Sequence, residues 1–305
     1  MSAGQADQLS TNGWALFRAG NVAGAMREFR AALAVEPEHV DALIGLSQCH
    51  INRSEFGAAE TVADTLLQTA PNLPQSHRIK SEVLRYRRKF REALKYAEEA
   101  VRLDPNDPLS YHFLAVIHYD RKKPGEALKV IERGRELAPW YAVLAAQKAL
   151  VLLGTKGSKV AEPIADEALR LSPDDRYVLT IAGQIALMRG KLEKARDLLG
   201  DVLRRDANDE SALSFYLLTD PKRYRLLRAD VRFRYWRSDN GLFGWAVWLT
   251  VWCLLLLAFG VVAFAGRAPA MAVAIAYQLF WRWQYGNHRR AVKAHFAQPK
   301  LDPSY

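Results

Sequence analysis

"REALKYAEEAVRLDPND", residues 91–107, decides the fold. Its apolar residues return at helical spacing, and the run closes on Asp104-Pro105, where proline lacks the backbone N–H that a helix interior needs. A second version, "GEALKVIERGRELAPWY", occupies 125–141, and the two prolines stand 34 residues apart. The same step connects Pro37, Pro71, Pro105, Pro139 and Pro173, and the sixth place holds Ala207. A fixed period of this length marks a stack of repeated units.

Two further sets of small residues keep the same phase. Twelve residues before each proline place stands an alanine: Ala25, Ala59, Ala93, Ala127, Ala161 and Ala195. Twelve residues earlier still come Gly13, Ser47, Ser81, Ala115, Ala149 and Gly183. Small side chains in register predict two helices per unit in close contact. Each pair leaves an apolar face that only the next pair can bury.

At these places the chain resembles the tetratricopeptide repeat family, whose helix-turn-helix unit is 34 residues long with small residues at both crossing points. The resemblance covers six repeats over residues 6–209, and "DESALSFYLL" supplies a capping helix at 210–218. It implies an all-α, right-handed superhelix. Leu9, Leu43, Tyr111 and Leu179 fill the large apolar place of the first helix, and Gly20 and Gly190 open the turn. His77 and Ala145 depart from the large residue, and Arg88, Lys122 and Lys156 stand where the turn glycine is usual.

The net charge of +10 is unevenly spread. Residues 1–218 hold 30 Lys and Arg against 29 Asp and Glu, whereas 219–305 hold 13 against 4. In that basic quarter, Gly241–Gly266 is free of charge and long enough to span a bilayer. A second apolar run, 270–285, follows the turn "GRAP". Lys and Arg flank the pair on its outer sides, with Arg267 between the runs, so the positive-inside rule favours a transmembrane hairpin over 241–285. A basic juxtamembrane segment, 219–240, precedes it and a basic tail, 286–305, follows. The expected location is a bacterial inner membrane, multi-pass, with the repeats in the cytoplasm. The bacterial assignment rests on Ala-, Arg- and Leu-rich usage. Membrane lipid is an expected partner.

No catalytic constellation is legible. His112 and His118 are six residues apart rather than four, and "GTKGSK" at 154–159 lacks the spacing of a phosphate loop. Cys49 and Cys253 make neither a disulfide framework nor a metal site. Neither enzyme activity, cofactor nor metal is expected. The basic cluster Arg78, Lys80, Arg85, Arg87, Arg88, Lys89 and Arg91 could meet a polyanion, but the repeat region is nearly neutral and nothing resembles a base-reading element, so nucleic acid is not an expected partner.

The family resemblance implies a groove lined by the first helix of each repeat, here by Trp14, Phe17, Arg18, Ile44, Gln48, Arg78, Arg85, Tyr86, His112, Val116, Tyr119, Leu150, Leu153, Gln184 and Leu187. The expected occupant is a peptide or amphipathic helix of another protein, which makes the chain a scaffold or adaptor. The clamp that relatives use for acidic chaperone tails is missing: its matching places hold Ser10, Trp14, Gly45, Gln75 and Ile79. A regulatory subunit of a membrane enzyme or transport complex, contacted through the hairpin, is the alternative.

Overall fold

The computed structural model describes residues 2–207 and 209–220, together with Trp283, Asn287 and Arg290. Among these the chain forms thirteen α-helices and no strand: α1 (Ser2–Arg18), α2 (Val22–Val35), α3 (Val40–Asn52), α4 (Phe56–Thr69), α5 (Pro74–Tyr86), α6 (Phe90–Leu103), α7 (Pro108–Asp120), α8 (Pro124–Leu137), α9 (Ala142–Thr155), α10 (Ser158–Leu171), α11 (Arg176–Arg189), α12 (Leu192–Arg205) and α13 (Glu210–Leu218). None is long and apolar enough to cross a membrane. The segments expected at 219–240, 241–285 and 286–305 lie outside the described residues, apart from Thr219, Asp220, Trp283, Asn287 and Arg290.

The chain divides into two compact units, Met1–Leu144 and Ala145–Tyr305. In the first, each odd-numbered helix packs on its following even-numbered partner and on the next odd-numbered one, so that α1, α3, α5 and α7 adjoin in sequence. In the second, α10 packs on α11, α11 on α12, and α13 on both α11 and α12. The six phased alanines are all fully buried. The six small residues facing them are buried as well. Phe29 shows why they must be small. Its ring, fully buried, lies so close to Gly13 that a Cβ there would fall 2.7 Å from it, and one at Gly45 would come closer still. At Gly183 a Cβ would stand 2.7 Å from Leu199. Larger side chains at such crossings overpack a dense core.

The proline phrase ends one unit and starts the next. Two residues after Pro105, Asp107 caps α7 by accepting the backbone N–H groups of Leu109 at 3.1 Å and Ser110 at 3.2 Å. Asp175 and Asp209 do the same for Val178 and Ala212. At the matching place His39 accepts from Ala42 through Nδ1. Such caps satisfy donors that the first helical turn leaves open.

The turn inside each unit has its own rule. Positive φ recurs at Gly20, Ser54, Arg88, Lys122, Gly157 and Gly190. The chain therefore takes a positive φ once per repeat whether or not glycine is present, with φ of 60–62° at the three larger residues. In the fifth repeat that residue is Gly157 and not Lys156 as expected: α9 runs to Thr155, one residue past the matching ends of α3, α5 and α7, and in the short turn that is left glycine takes the demanding position.

Candidate partner-binding face

The face made by α1, α3, α5 and α7 is held together by polar bonds between successive repeats. On α1, Ser10 Oγ and Trp14 Nε1 both donate to Asp41 Oδ2 of α3, at 2.6 and 2.9 Å. Asp7 meets His39 at 3.0 Å. Gln48 of α3 donates to Glu82 of α5 at 3.4 Å. Arg78 of α5 pairs with Asp107 at the start of α7, and Arg85 donates to Asp120 at its end, at 3.2 Å. Residues about one repeat apart are brought side by side, as a stack of helix pairs requires.

Apolar and aromatic surface lies between these bonds. Trp14 meets Phe17 and Phe29 edge to face, with ring centroids 5.8 and 5.4 Å apart. Tyr86, 41% exposed, stacks on Phe56 at 5.0 Å, and the Arg85 guanidinium lies 4.2 Å from its ring centre. Burial lifts the Glu82 carboxyl above its ordinary range, with Arg85 and Gln48 pulling the other way. Burial and the charge of Arg85 hold His112 down at about 4, so its imidazole is neutral at physiological pH.

Of the residues expected to line a groove, Trp14, Phe17, Gln48, Arg78, Arg85, His112, Val116 and Tyr119 are partly buried along this first unit, and Arg18 and Tyr86 are exposed. Ile44 is corrected to the interior at 5% exposure, since it packs with Leu43, Ile79 and Val83. In the second unit Leu150 and Gln184 are partly buried, but Leu153 and Leu187 are each 1% exposed and offer no open surface. Nearby Gln147 is buried too, with the Tyr177 hydroxyl donating to its carbonyl.

The basic run of the third repeat finds acids in the fold that its own sequence does not offer. Sequence places Glu82 as its lone acid, whereas folding brings others in from neighbouring repeats. Glu60 receives Arg87, together with Lys80 and Lys89 at 3.4 Å each. Lys80 also reaches Asp64 at 2.5 Å. With Arg78 and Arg85 paired as above, the run is not a bare cationic patch. The second unit repeats the device: Glu162 receives Arg189 at 3.0 Å and Lys191 at 2.7 Å, and Lys194 meets Asp166 at 2.7 Å. Each glutamate grips the two cations that flank the left-handed turn residue of the following repeat.

Sequence reasoning overlooked Asp41, Glu82, Asp107 and Asp120. Glu82 shares the repeat position of Trp14 and Gln48, so the 34-residue register contained the signal. Nothing in the pattern marked Trp140, which is 70% exposed beside Leu137 at 41%.

A family profile described as tetratricopeptide repeat matches residues 16–83, and a second of the same description matches 80–139 and 147–210. No curated protein sequence matches the chain. Among solved structures, yeast Tom70 is similar with a TM-score of 0.59 and 16% identity, over 86% of this chain and 55% of that one. The Cut9-Hcn1 hetero-tetramer of the APC/C gives a TM-score of 0.55 at 18% identity, over 71% of this chain and only 43% of that one. PilF of Pseudomonas aeruginosa gives 0.50 at 18% identity, over 71% of this chain and 98% of that one. These likenesses concern the fold.

Proposed function

We propose, since this chain belongs to the tetratricopeptide repeat family, that it is a membrane-anchored scaffold or adaptor whose first unit holds a peptide or amphipathic helix of a partner protein. Repeats of this family mediate protein–protein interactions, peptide binding included. One observation carries the reading for this chain: along α1, α3, α5 and α7, ring surface at Trp14, Phe17 and Tyr86 alternates with polar groups already fixed in place by bonds between repeats. Rigid aromatic anchors among pre-set polar groups suit capture of an extended or helical segment, because little ordering remains to be done on binding.

The anchor in this proposal is the uncharged run 241–266 with its basic flanks and the second run 270–285, arranged as a hairpin in a bacterial inner membrane that leaves the repeats in the cytoplasm. The role is non-catalytic. The partner engages the inner face rather than the basic run of the third repeat, where acids of neighbouring helices already neutralise much of the charge.

Crosslinking in intact membranes tests both halves. The full chain should stay in the membrane pellet after an alkaline wash, and its partners should be captured through the first unit. Trp14→Ala and Tyr86→Ala should each weaken capture by about 1–3 kcal/mol. Trp14 also packs on buried Phe29, so its truncation will lower the unfolding midpoint. Tyr86 is exposed and separates binding from folding. Full capture by both variants would remove this face from the proposal, and release of the chain by the wash would remove the anchor.

A further inference from the structure

Among the carboxylates named on the first unit's inner face, Glu82 is the most weakly bonded. Asp7 has His39, Asp41 has Ser10 and Trp14, Asp107 has Arg78, Ser110 and two backbone N–H groups, and Asp120 has Arg85. Glu82 receives one bond, from Gln48 at 3.4 Å, long beside the about 2.7–2.9 Å of a charged pair. A carboxylate can accept about four hydrogen bonds, and a partly buried one that does not receive them carries a desolvation cost.

The neighbouring groups leave the gap open. Arg85, one turn further along α5, is engaged with Asp120 and lies over the Tyr86 ring. His112 is neutral, held so by burial and by Arg85 itself. With both carboxyls ionised, Glu82 and Asp120 set two negative charges against the one positive charge of Arg85. The same deficit appears in the Glu82 carboxyl, which burial keeps above its ordinary range despite the nearby guanidinium.

We propose that Glu82 is a cation subsite of this face, which receives a lysine ammonium or arginine guanidinium from the bound segment of a partner protein. The subsite rests on the reading of this face as the partner surface. A metal ion is the weaker fit, because among the described residues no three His, Cys, Asp or Glu side chains gather as metal ligands would. An organic cation fits on two counts. It restores neutrality to the ionised Glu82, Arg85 and Asp120 group, and its aliphatic stem can lie along the exposed edge of Tyr86, whose ring faces meet Phe56 and Arg85. The segment so recognised carries a basic residue next to apolar anchors, the reverse of the acidic tails that a lysine-rich clamp would hold.

The test is selection of phage-displayed random twelve-residue peptides on the full-length chain, run in parallel on wild type and Glu82→Gln. Matching unfolding midpoints verify that the isosteric variant folds. Wild-type binders should share a Lys or Arg at fixed spacing from an aromatic or aliphatic residue. They should bind Glu82→Gln about tenfold more weakly, and replacing their basic residue with glutamine should lose the same factor on wild type and nothing further on the variant. Binders that Tyr86→Ala weakens but that lack this basic residue, or that Glu82→Gln leaves untouched, would overturn the subsite and spare the face. An absence of binders, or binders indifferent to Tyr86→Ala, would remove the face and the subsite with it.

Discussion

The inner positions of the two units follow one register and differ most in chemistry at the place of Arg85 and Tyr119. At the repeat place of Trp14, Gln48, Glu82 and Val116, the second unit has Leu150 and Gln184; at the place of Arg85 and Tyr119 it has Leu153 and Leu187, both almost wholly buried. The first unit joins its helices there with polar bonds: Trp14 to Asp41, Gln48 to Glu82, Arg85 to Asp120. In the second unit those leucines are interior. The repeat geometry therefore determines where a side chain stands and leaves open whether it forms surface or core. The proposed partner face lies on the unit whose inner side chains remain partly accessible and polar.

Acid should expose this contrast most strongly. The imidazole of His112 titrates near 6.5 in an unfolded chain and at about 4 in the folded one, chiefly because burial disfavours its charged form and Arg85 adds repulsion. The unfolded state then takes up a proton that the folded state refuses. Stability from this source is complete above about pH 6.5 and is lost as pH falls toward 4, a loss of roughly 3 kcal/mol at the lower end. Denaturant midpoints measured from pH 7 to pH 4 should show that loss in the wild type and a shallower slope in His112→Gln. Equal slopes would mean that His112 is protonated in the folded protein and would undo the neutral reading of this face.

The two carboxylate grips offer a sharper comparison, since here the units agree. Glu60 with Arg87 and Lys89, and Glu162 with Arg189 and Lys191, stand three repeats apart and bind equivalent cations. Glu60→Gln and Glu162→Gln should each cost about 1–3 kcal/mol, the range for hydrogen bonds to partly buried charged groups. Burial pushes the Glu162 carboxyl up, but bonds from Lys191 and Arg189 more than offset this and leave it below its ordinary value of 4.5. A depressed folded-state value means stability that is present above that ordinary value and lost as pH falls through the folded one. Glu162→Gln should erase this acid loss. A cost confined to one of the two variants would show that the grips are not equivalent.

How far the sequence carried the fold, and where it stopped, follows from the range of the forces involved. The phased alanines and prolines report contacts between neighbouring helices and the ends of units, which are local and periodic, so they were readable from single residues. Glu60 meeting Arg87, or Trp14 meeting Asp41, joins side chains 27 residues apart through the stacking itself. No window of sequence displays such a pair, so the basic run looked unpaired and the acids of the inner face escaped notice. Burial failed for a related reason. Ile44, Leu153 and Leu187 occupy places that line a groove by register, and only the packing around each one decides that they are core. Glu82 was the exception, legible in register yet passed over because its neighbours in sequence are cationic.

The smallest effect concerns the turn that each grip surrounds. Arg88 adopts φ of 62° where Gly190, at the equivalent place, adopts 80°. A side chain in the left-handed region costs roughly 1–2 kcal/mol from the approach of Cβ to the backbone, whereas glycine pays nothing there. Glycine also gives the unfolded chain more freedom, which returns about 0.4–1 kcal/mol to the unfolded state. The difference favours Arg88→Gly by about 0.5 kcal/mol, and Gly190→Arg should lose a similar amount. Arg88 is exposed, and the cations that Glu60 grips are its neighbours Arg87 and Lys89, so removal of the Arg88 side chain leaves that grip in place. Paired denaturant titrations of the two variants would measure the opposed shifts. A loss of stability in Arg88→Gly would mean that the arginine makes a contact worth more than its backbone strain, and the turn of the third repeat would then be held by its own side chain as well as by Glu60.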